Sequence, residues 1–398
     1  MSELEKLLEG VEVEWKSVGE LCQIKTGKGV TKKDSIETGL YPIISGGKNP
    51  MGNIDKFNRN ENTVTISRVG ANAGYVSFIY CKFYLNDKCF SVIPNDLFKN
   101  RVSKKYLYYF LKSREKDITN LQSEGGVPTI NTTKVSSIQI PIPYSDNSVQ
   151  SLKIQKEIVR ILDIFTELTT ELTTELTARK QQYAYYREQL LSFEENEAPH
   201  LPMGDESVGK FIRGKRFVKT DLLSEGVPTI HYGEMYTHYG TWADKTKSFV
   251  SKELVDNKKL RLAEKGDVVI VAAGETIEDI GQGTAWLGDE GVAVHDACFY
   301  YKSTFNPKYV AYFTRTRQFH DQIKKHISSG KISAINAKGL GKAIIPVPSK
   351  VEQERIVAIL DKFDILTTSI SEGLPKEIEL RKKQYEYYRE MLLTFPKN

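Results

Sequence analysis

Thr166-Glu-Leu-Thr169, Thr170-Glu-Leu-Thr173 and Thr174-Glu-Leu-Thr177 are one four-residue unit repeated three times without an error. The repeat lies inside a segment, Leu152 to Phe193, with apolar residues at helical spacing and neither Pro nor Gly. A period of four places Leu168, Leu172 and Leu176 on nearly one face of an α-helix, drifting by roughly 40° per unit. Such a helix can be lengthened in equal steps. Each added unit moves its far end by roughly 6 Å and turns it by roughly 40°. A step along duplex DNA is ~3.4 Å with a turn of ~35°. A rod graduated in those units suits a spacer between two DNA readers.

The same helix occurs twice. Ile158-Val-Arg-Ile-Leu-Asp163-Ile-Phe165 recurs as Ile356-Val-Ala-Ile-Leu-Asp361-Lys-Phe363. Arg179-Lys-Gln-Gln-Tyr183-Ala-Tyr185-Tyr186-Arg187-Glu188 recurs as Arg381-Lys-Lys-Gln-Tyr385-Glu-Tyr387-Tyr388-Arg389-Glu390. The first pair is offset by 198 positions and the second by 202, so the second copy carries four extra residues between its blocks. That interval contains Gly373-Leu374-Pro375, which should break or kink the second helix and absorb the extra residues. Apolar positions such as Ile158, Leu162, Phe165 and Leu168, or Ile356, Leu360, Phe363, Leu366 and Ile370, step by three or four, as a coiled-coil seam requires.

A mixed, Gly-rich segment precedes each helical copy. In the first, Thr63–Ser67, Tyr75–Tyr80 and Phe90–Ile93 read as strands and Tyr106–Lys112 as a helix. In the second, Asp267–Val271 is the clearest strand, and Tyr309–Phe313 takes the place of Tyr106–Phe110. Both segments end alike, with Ile140-Pro141-Ile-Pro143 and Ile345-Pro346-Val-Pro348 as stiff lead-ins to the helices. The expected fold is α+β: two mixed α/β domains separated by two long antiparallel coiled-coil helices, in a pseudo-twofold internal duplication. The expected divisions are 1–147, 148–196, 197–349 and 350–398. The two helices should hold the domains at opposite ends. Residues 3–8, a short amphipathic turn, should lie near the end of the C-terminal helix.

A chain of 398 residues with 40% apolar residues can bury two or three ordinary cores. The net charge of +5 is compatible with nucleic acid without being diagnostic. Cys22, Cys81, Cys89 and Cys298 form no CxxC and no cluster with His, which points to free thiols in a reducing compartment. The first ten residues lack the apolar stretch of a signal peptide, and no run of 18 apolar residues occurs. A cytoplasmic protein without a membrane partner is expected.

Basic residues cluster where each globular segment begins. Lys25, Lys28, Lys32 and Lys33 sit in a Gly/Thr loop, and Lys210, Arg213, Lys215, Arg216 and Lys219 fall close together. Such residues make phosphate contacts, and Arg can read guanine edges. Polar loops follow. In the first domain they offer Ser45, Lys48, Arg68 and Asn72; in the second, His231, Tyr232 and His238, then Lys331, Ser333 and Asn336. Any one of these is ordinarily a solvated charge or a turn residue. As clusters in two matched domains they point to DNA.

Motifs for chemistry are missing. Gly27-Lys28-Gly29-Val30-Thr31 lacks the GxxxxGK(S/T) spacing of a P-loop, and there is no GxSxG, no HExxH and no Asn/Asp-Pro-Pro-Tyr/Phe. His231 and His238 as lone loop histidines do not make a metal site, and none is expected. Tyr183, Tyr186 and Arg187, repeated as Tyr385, Tyr388 and Arg389, are either helix-packing residues or two equivalent docking sites for partner helices. Their duplication favours docking.

These features together resemble the specificity (S) subunits of type I restriction-modification systems, over nearly the whole length. The blocks at Arg179–Phe193 and Arg381–Phe395 look like that family's two conserved helical regions. The Thr-Glu-Leu-Thr repeat resembles the tetrapeptide repeats of one subfamily. The resemblance implies two target recognition domains, each reading one half of a split asymmetric sequence in duplex DNA. It implies that the helices fix the unread gap and bind two methyltransferase (M) subunits, with two restriction/translocase (R) subunits completing the complex. It implies no catalysis and no cofactor in this chain, with S-adenosylmethionine, ATP and Mg²⁺ used by the partners. Two other readings compete: a coiled-coil adaptor whose domains bind proteins, disfavoured by the repeated basic loops, and an enzyme such as a fused methyltransferase-nuclease, disfavoured by the missing motifs.

Overall fold

The computed structural model describes residues 10–123, 126–330, 332–369 and 371–395. It forms two compact units. The first takes the described residues up to Thr173 and from Glu377 onward; the second runs from Thr174 to Lys376. Both unit boundaries fall within helical segments, so each unit is one globular domain with part of each helical region.

In the first unit, Ser17 caps the short helix Val18–Leu21 through a capping box with Glu20. An antiparallel sheet follows, in the order Cys22–Thr26, Cys89–Pro94, Thr63–Ser67, Val76–Ile79. Thr63–Ser67 is buried along its whole length because it is central and covered on both faces. Val64 and Ile66 point into the core beneath helix Lys104–Ser113, whose Tyr106, Leu107, Phe110 and Leu111 are buried with them. A second, small sheet pairs Tyr41–Ile44 in parallel with Tyr84–Leu85. The Pro-x-Pro segment Gln139–Pro143 is a strand, paired antiparallel with Val13–Ser17. Two prolines two residues apart put both missing N–H groups on one edge, which a two-stranded ribbon tolerates.

The second unit repeats this framework. Its sheet runs Gly209–Arg213, Cys298–Ser303, Val268–Val271, Gly283–Trp286, with Trp242–Ala243 added at the edge. Val227–Ile230 pairs in parallel with Val292–Val294. Helix Pro307–Phe313 lies where Lys104–Ser113 lies in the first unit, and Ile344–Pro346 forms the ribbon with His200–Pro202. Ser207–Gly209, aligned in sequence with the short helix at Ser17–Gly19, is instead a turn running into a strand.

The same side chains fasten each domain to its helix. In the first unit Gln155 accepts from the Ser103 N–H at 2.8 Å, and Asp163 accepts from Lys105 at 2.7 Å and Tyr109 at 2.5 Å. In the second, Gln353 accepts from the Asn306 N–H at 2.9 Å, and Asp361 from Lys308 at 2.7 Å and Tyr312 at 2.6 Å. The hydroxyls of Tyr106 and Tyr309 each donate to the first proline carbonyl of the ribbon, Pro141 and Pro346.

The central helix spans Ser148–Leu190 without interruption. Threonine is a modest helix former because its branched side chain is restrained against the preceding turn. Here the hydroxyls of Thr166, Thr169, Thr170 and Thr173 each donate to the carbonyl four residues back, at 2.7–2.9 Å, so none is wasted. Leu168, Leu172 and Leu176 are half-buried. The C-terminal region is two helices, Lys350–Thr368 and Gly373–Leu393. The expected break is therefore present, between the two matched blocks. Gly373 has φ +79°, and a Cβ there would lie 2.5 Å from the Ile365 carbonyl. Ile370 and residues 3–8 lie outside the described residues.

Within the first unit Phe165 stacks on Tyr388 at 5.1 Å, while Tyr385 meets Thr166, so the helices pair antiparallel. Within the second, Tyr183 and Tyr186 both stack on Phe363, at 6.2 and 5.5 Å. Among the described residues no helix is long and apolar enough to cross a membrane.

Candidate nucleic-acid interface

Each domain brings its basic loop and its polar loop to one place, the end of the parallel strand pair. Ile44 pairs with Leu85, and the next residues are Ser45 and Asn86. Ile230 pairs with Val294, and the next residues are His231 and His295. Backbone bonds hold the basic loop against this end in both domains. Gly27 and Lys28 donate to Cys89 and Leu85; Gly214 and Lys215 donate to Cys298 and Val294, all at 2.9–3.1 Å. Glycine is required there. A Cβ on Gly27 would lie 2.2 Å from the Asn86 carbonyl, and one on Gly214 2.3 Å from that of His295.

Asn86 and His295 do the same work. The Asn86 amide donates to the Val30 carbonyl at 2.8 Å, and its oxygen accepts from the Lys88 N–H at 3.0 Å and the Ser45 hydroxyl at 3.3 Å. His295 Nδ1 accepts from the Ala297 N–H at 3.1 Å, and the ring hydrogen-bonds the backbone of Phe217, the residue matching Val30. With Nδ1 so occupied, the 3.3 Å approach of Asp296 is not an ion pair. Burial holds the His295 pKa below the ordinary imidazole value, and His231 and Arg216 push it further down. Sequence reasoning missed Asn86 and His295. The signal was available in Asn86-Asp87-Lys88-Cys89 against His295-Asp296-Ala297-Cys298.

Lys25, Lys28, Lys32 and Lys33 are exposed around this site in the first domain, and Lys48 is exposed beside the Tyr75 ring. Asn72 joins the two polar loops by donating to the Gly46 carbonyl at 3.3 Å. Arg68 lies over the Phe90 ring at 5.4 Å, and its buried Nε has no partner among the described residues. In the second domain Arg213 donates to the Asp296 carbonyl at 2.9 Å, Lys215 reaches the Lys258 carbonyl at 3.3 Å, and Arg216 is exposed. Arg216, His231, Tyr232, His295 and Ile332 line a cleft of about 680 Å³. His238 is exposed at the end of helix Tyr232–Thr237. A larger open cavity, about 1120 Å³, lies away from this site, between Lys210 and Lys338.

Two expected contacts turn out to be framework. Ser333 is buried in a short strand paired with Ala273–Gly274. Asn336 caps helix Ala337–Gly341, as Asn131 caps Thr132–Ser136. Lys331 lies outside the described residues.

On the helices, Tyr183 is buried by its own unit, and Tyr385 and Tyr388 are half-buried in theirs. Arg187 and Arg389 each cover the neighbouring ring, Tyr183 and Tyr385, at 5.5 Å. Tyr186 is partly spent on Phe363 and is 39% exposed. The rings most available to a partner are instead Tyr185 and Tyr387, each 61% exposed. Cys22, Cys89 and Cys298 are buried and free; burial pushes their thiols up to about 12, 11 and 12. Among the described residues no group of His, Cys, Asp and Glu is placed to hold a metal.

A family model described as the type I restriction modification DNA specificity domain matches residues 10–179 and again 206–380. The chain is 35% identical to the EcoR124I/EcoR124II type I restriction enzyme specificity subunit of Escherichia coli, over all of this chain and 98% of that one. It is 32% identical to a protein of Haemophilus influenzae assigned as a type I restriction enzyme specificity subunit, over 98% of each. The crystal structure of a type I restriction-modification S subunit from M. genitalium has the same fold, with a TM-score of 0.60 at 18% identity and full coverage of both chains.

Proposed function

This chain belongs to the type I restriction-modification DNA specificity family, and from that membership we propose that its two globular domains each read one half of a split, asymmetric target in duplex DNA. The observation that carries the reading is the shared framework with unlike tips. Ser45 and Asn86 end one parallel strand pair, and His231 and His295 end the other, each beneath a basic loop held by the same backbone bonds. One framework with two chemistries suits two different half-sites.

Lys25, Lys28, Lys32 and Lys33 in one domain, and Arg216 and Lys219 in the other, supply phosphate contacts. Lys48, Arg68 and Asn72, and Tyr232 and His238, add further contacts. The helical regions set the unread gap through Leu168, Leu172 and Leu176. They dock two methyltransferase subunits, through Tyr185 and Tyr387 with Tyr186, Arg187, Tyr388 and Arg389 around them, and two restriction subunits complete a cytoplasmic assembly. The chain directs the reaction and performs none of it; S-adenosylmethionine, ATP and Mg²⁺ serve the partner subunits.

Replacing residues 204–344 by those of a relative with another target tests this. One half-site should change and the other stay. A change in both halves would mean that the domains do not read independently. Binding that ignores DNA sequence altogether would favour a protein-binding adaptor.

A further inference from the structure

We propose that His231 is a base-reading donor, which presents its Nε2–H to a hydrogen-bond acceptor on a base edge in the half-site read by the second domain. The proposal rests on the DNA-reading role above. Its geometry is fixed by the backbone. Nδ1 of His231 accepts from the Gly233 N–H at 3.3 Å, so in the neutral ring the proton is on Nε2. His231 also caps helix Tyr232–Thr237, with Glu234 completing the capping box. The ring is steadied by Tyr232 at 4.6 Å, His295 at 4.7 Å and Phe217 at 6.0 Å.

The two histidines of the cleft are not equivalent. His295 spends its ring on the backbone of Ala297 and Phe217. His231 has one nitrogen fixed by Gly233, and no described residue takes up the other. It is therefore the ring in the cleft with an N–H to offer. Burial holds its pKa below the ordinary value, so at neutral pH it is an uncharged, directional donor. Charge for phosphate comes from exposed Arg216 and Lys219 nearby. A single neutral donor is better matched to a base edge: purine N7, guanine O6 or thymine O4. It opposes the exocyclic amines of adenine and cytosine, which are donors themselves.

The first domain shows how to separate reading from folding. Its matching residue is Ser45, and serine is among the best helix caps. His231→Ser therefore keeps the cap of Tyr232–Thr237 and removes the long-reaching N–H. His231→Thr does the same with a second capping residue that carries no N–H. Methylated bases are mapped in DNA modified by the complex assembled on the wild-type chain and on each variant. Domain replacement identifies the half-site that belongs to residues 204–344. In that half-site, one position should accept more bases than in the wild type in both variants, with the other half-site and the gap unchanged. An intact motif in both variants overturns the proposal. So does an intact motif methylated uniformly more weakly, which marks a phosphate contact. A wild-type complex without any two-part motif would instead sink the DNA-reading role itself.

Discussion

Tyr109 donates its hydroxyl proton to the Asp163 carboxylate at 2.5 Å, the bond by which the helix of the first globular domain is tied to the central helix. Lys105 reaches the other oxygen of the same carboxylate at 2.7 Å. Tyr312, Lys308 and Asp361 repeat the arrangement in the second unit.

Asp163→Asn and Asp361→Asn should each loosen one domain from its helix. Losing a charge-assisted pair at a half-buried site costs roughly 1–3 kcal/mol. Hydrogen exchange should report lost protection around Lys104–Ser113 in the first variant and around Pro307–Phe313 in the second. Each change should be confined to its own unit; equal loss in both units would contradict separate fastening.

Gly214→Ala should displace the basic loop that carries Arg213, Lys215 and Arg216. The added Cβ meets the backbone carbonyls of His295 and Val294 at 2.3 Å, and neither can move without breaking the strand pair. A destabilisation of roughly 1–3 kcal/mol is expected. Thermal unfolding and half-site recognition should fall together. Gly240→Ala, where no atom lies within 4 Å of the new Cβ, is the control and should change neither.

Removal of Thr170–Thr173 takes out one repeat and leaves the remaining threonines able to bond four residues back. It turns the far end of the helix by roughly 40° and retracts it by roughly 6 Å. Matching the rotation of roughly 40° per unit to the ~35° turn of one base-pair step, the unread gap should shorten by about one base pair with both half-sites intact. A changed half-site with an unchanged gap would show that the repeat does not set the spacing.

The histidines of the second domain make stability depend on pH in a stated direction. Both His231 and His295 have folded-state pKa values below the ordinary ~6.5 of the unfolded chain, chiefly from burial. Their contribution is therefore fully present above about pH 6.5 and is lost as pH falls below it, because the unfolded chain takes up the protons first. Glu234 and Asp296 favour the charged rings and soften the effect, while Lys219 and Arg216 strengthen it. Glu275 and Asp279 also line the cleft. Thermal melts of the full chain between pH 7.5 and 5.5 should show this loss. His295→Asn, which installs the residue the first domain uses at Asn86, should flatten it. An unchanged pH profile in that variant would show that His295 is not responsible.

The helices were legible because their information is local and repeated. Period-four leucines, a duplicated block and a Gly-Leu-Pro interruption each dictate backbone directly, and the central helix and the break before Leu374 follow. The strand Thr63–Ser67 was legible as an alternating, β-branched run and Val268–Val271 as an apolar one. The reading site was less so. It is made by a parallel pairing of Ile230 with Val294, 64 positions apart, and only the short match of Asn86-Asp87-Lys88-Cys89 to His295-Asp296-Ala297-Cys298 marks His295. Polarity alone also misplaced side chains. Ser333 is polar but buried in a strand, and Asn336 is spent on a helix cap. In the Tyr183-Ala-Tyr-Tyr186 stripe the sequence could not say which ring faces outward. The helix pairing decides it, turning Tyr183 onto Phe363 and leaving Tyr185 exposed.

One chain is proposed to read two half-sites at a fixed separation, and a map of methylated bases in DNA from cells that express this chain with the proposed methyltransferase partner tests this directly. The expected result is one asymmetric two-part motif with an unread gap of constant length, absent when this chain is omitted. A single uninterrupted motif, or methylation that does not depend on this chain, would contradict it.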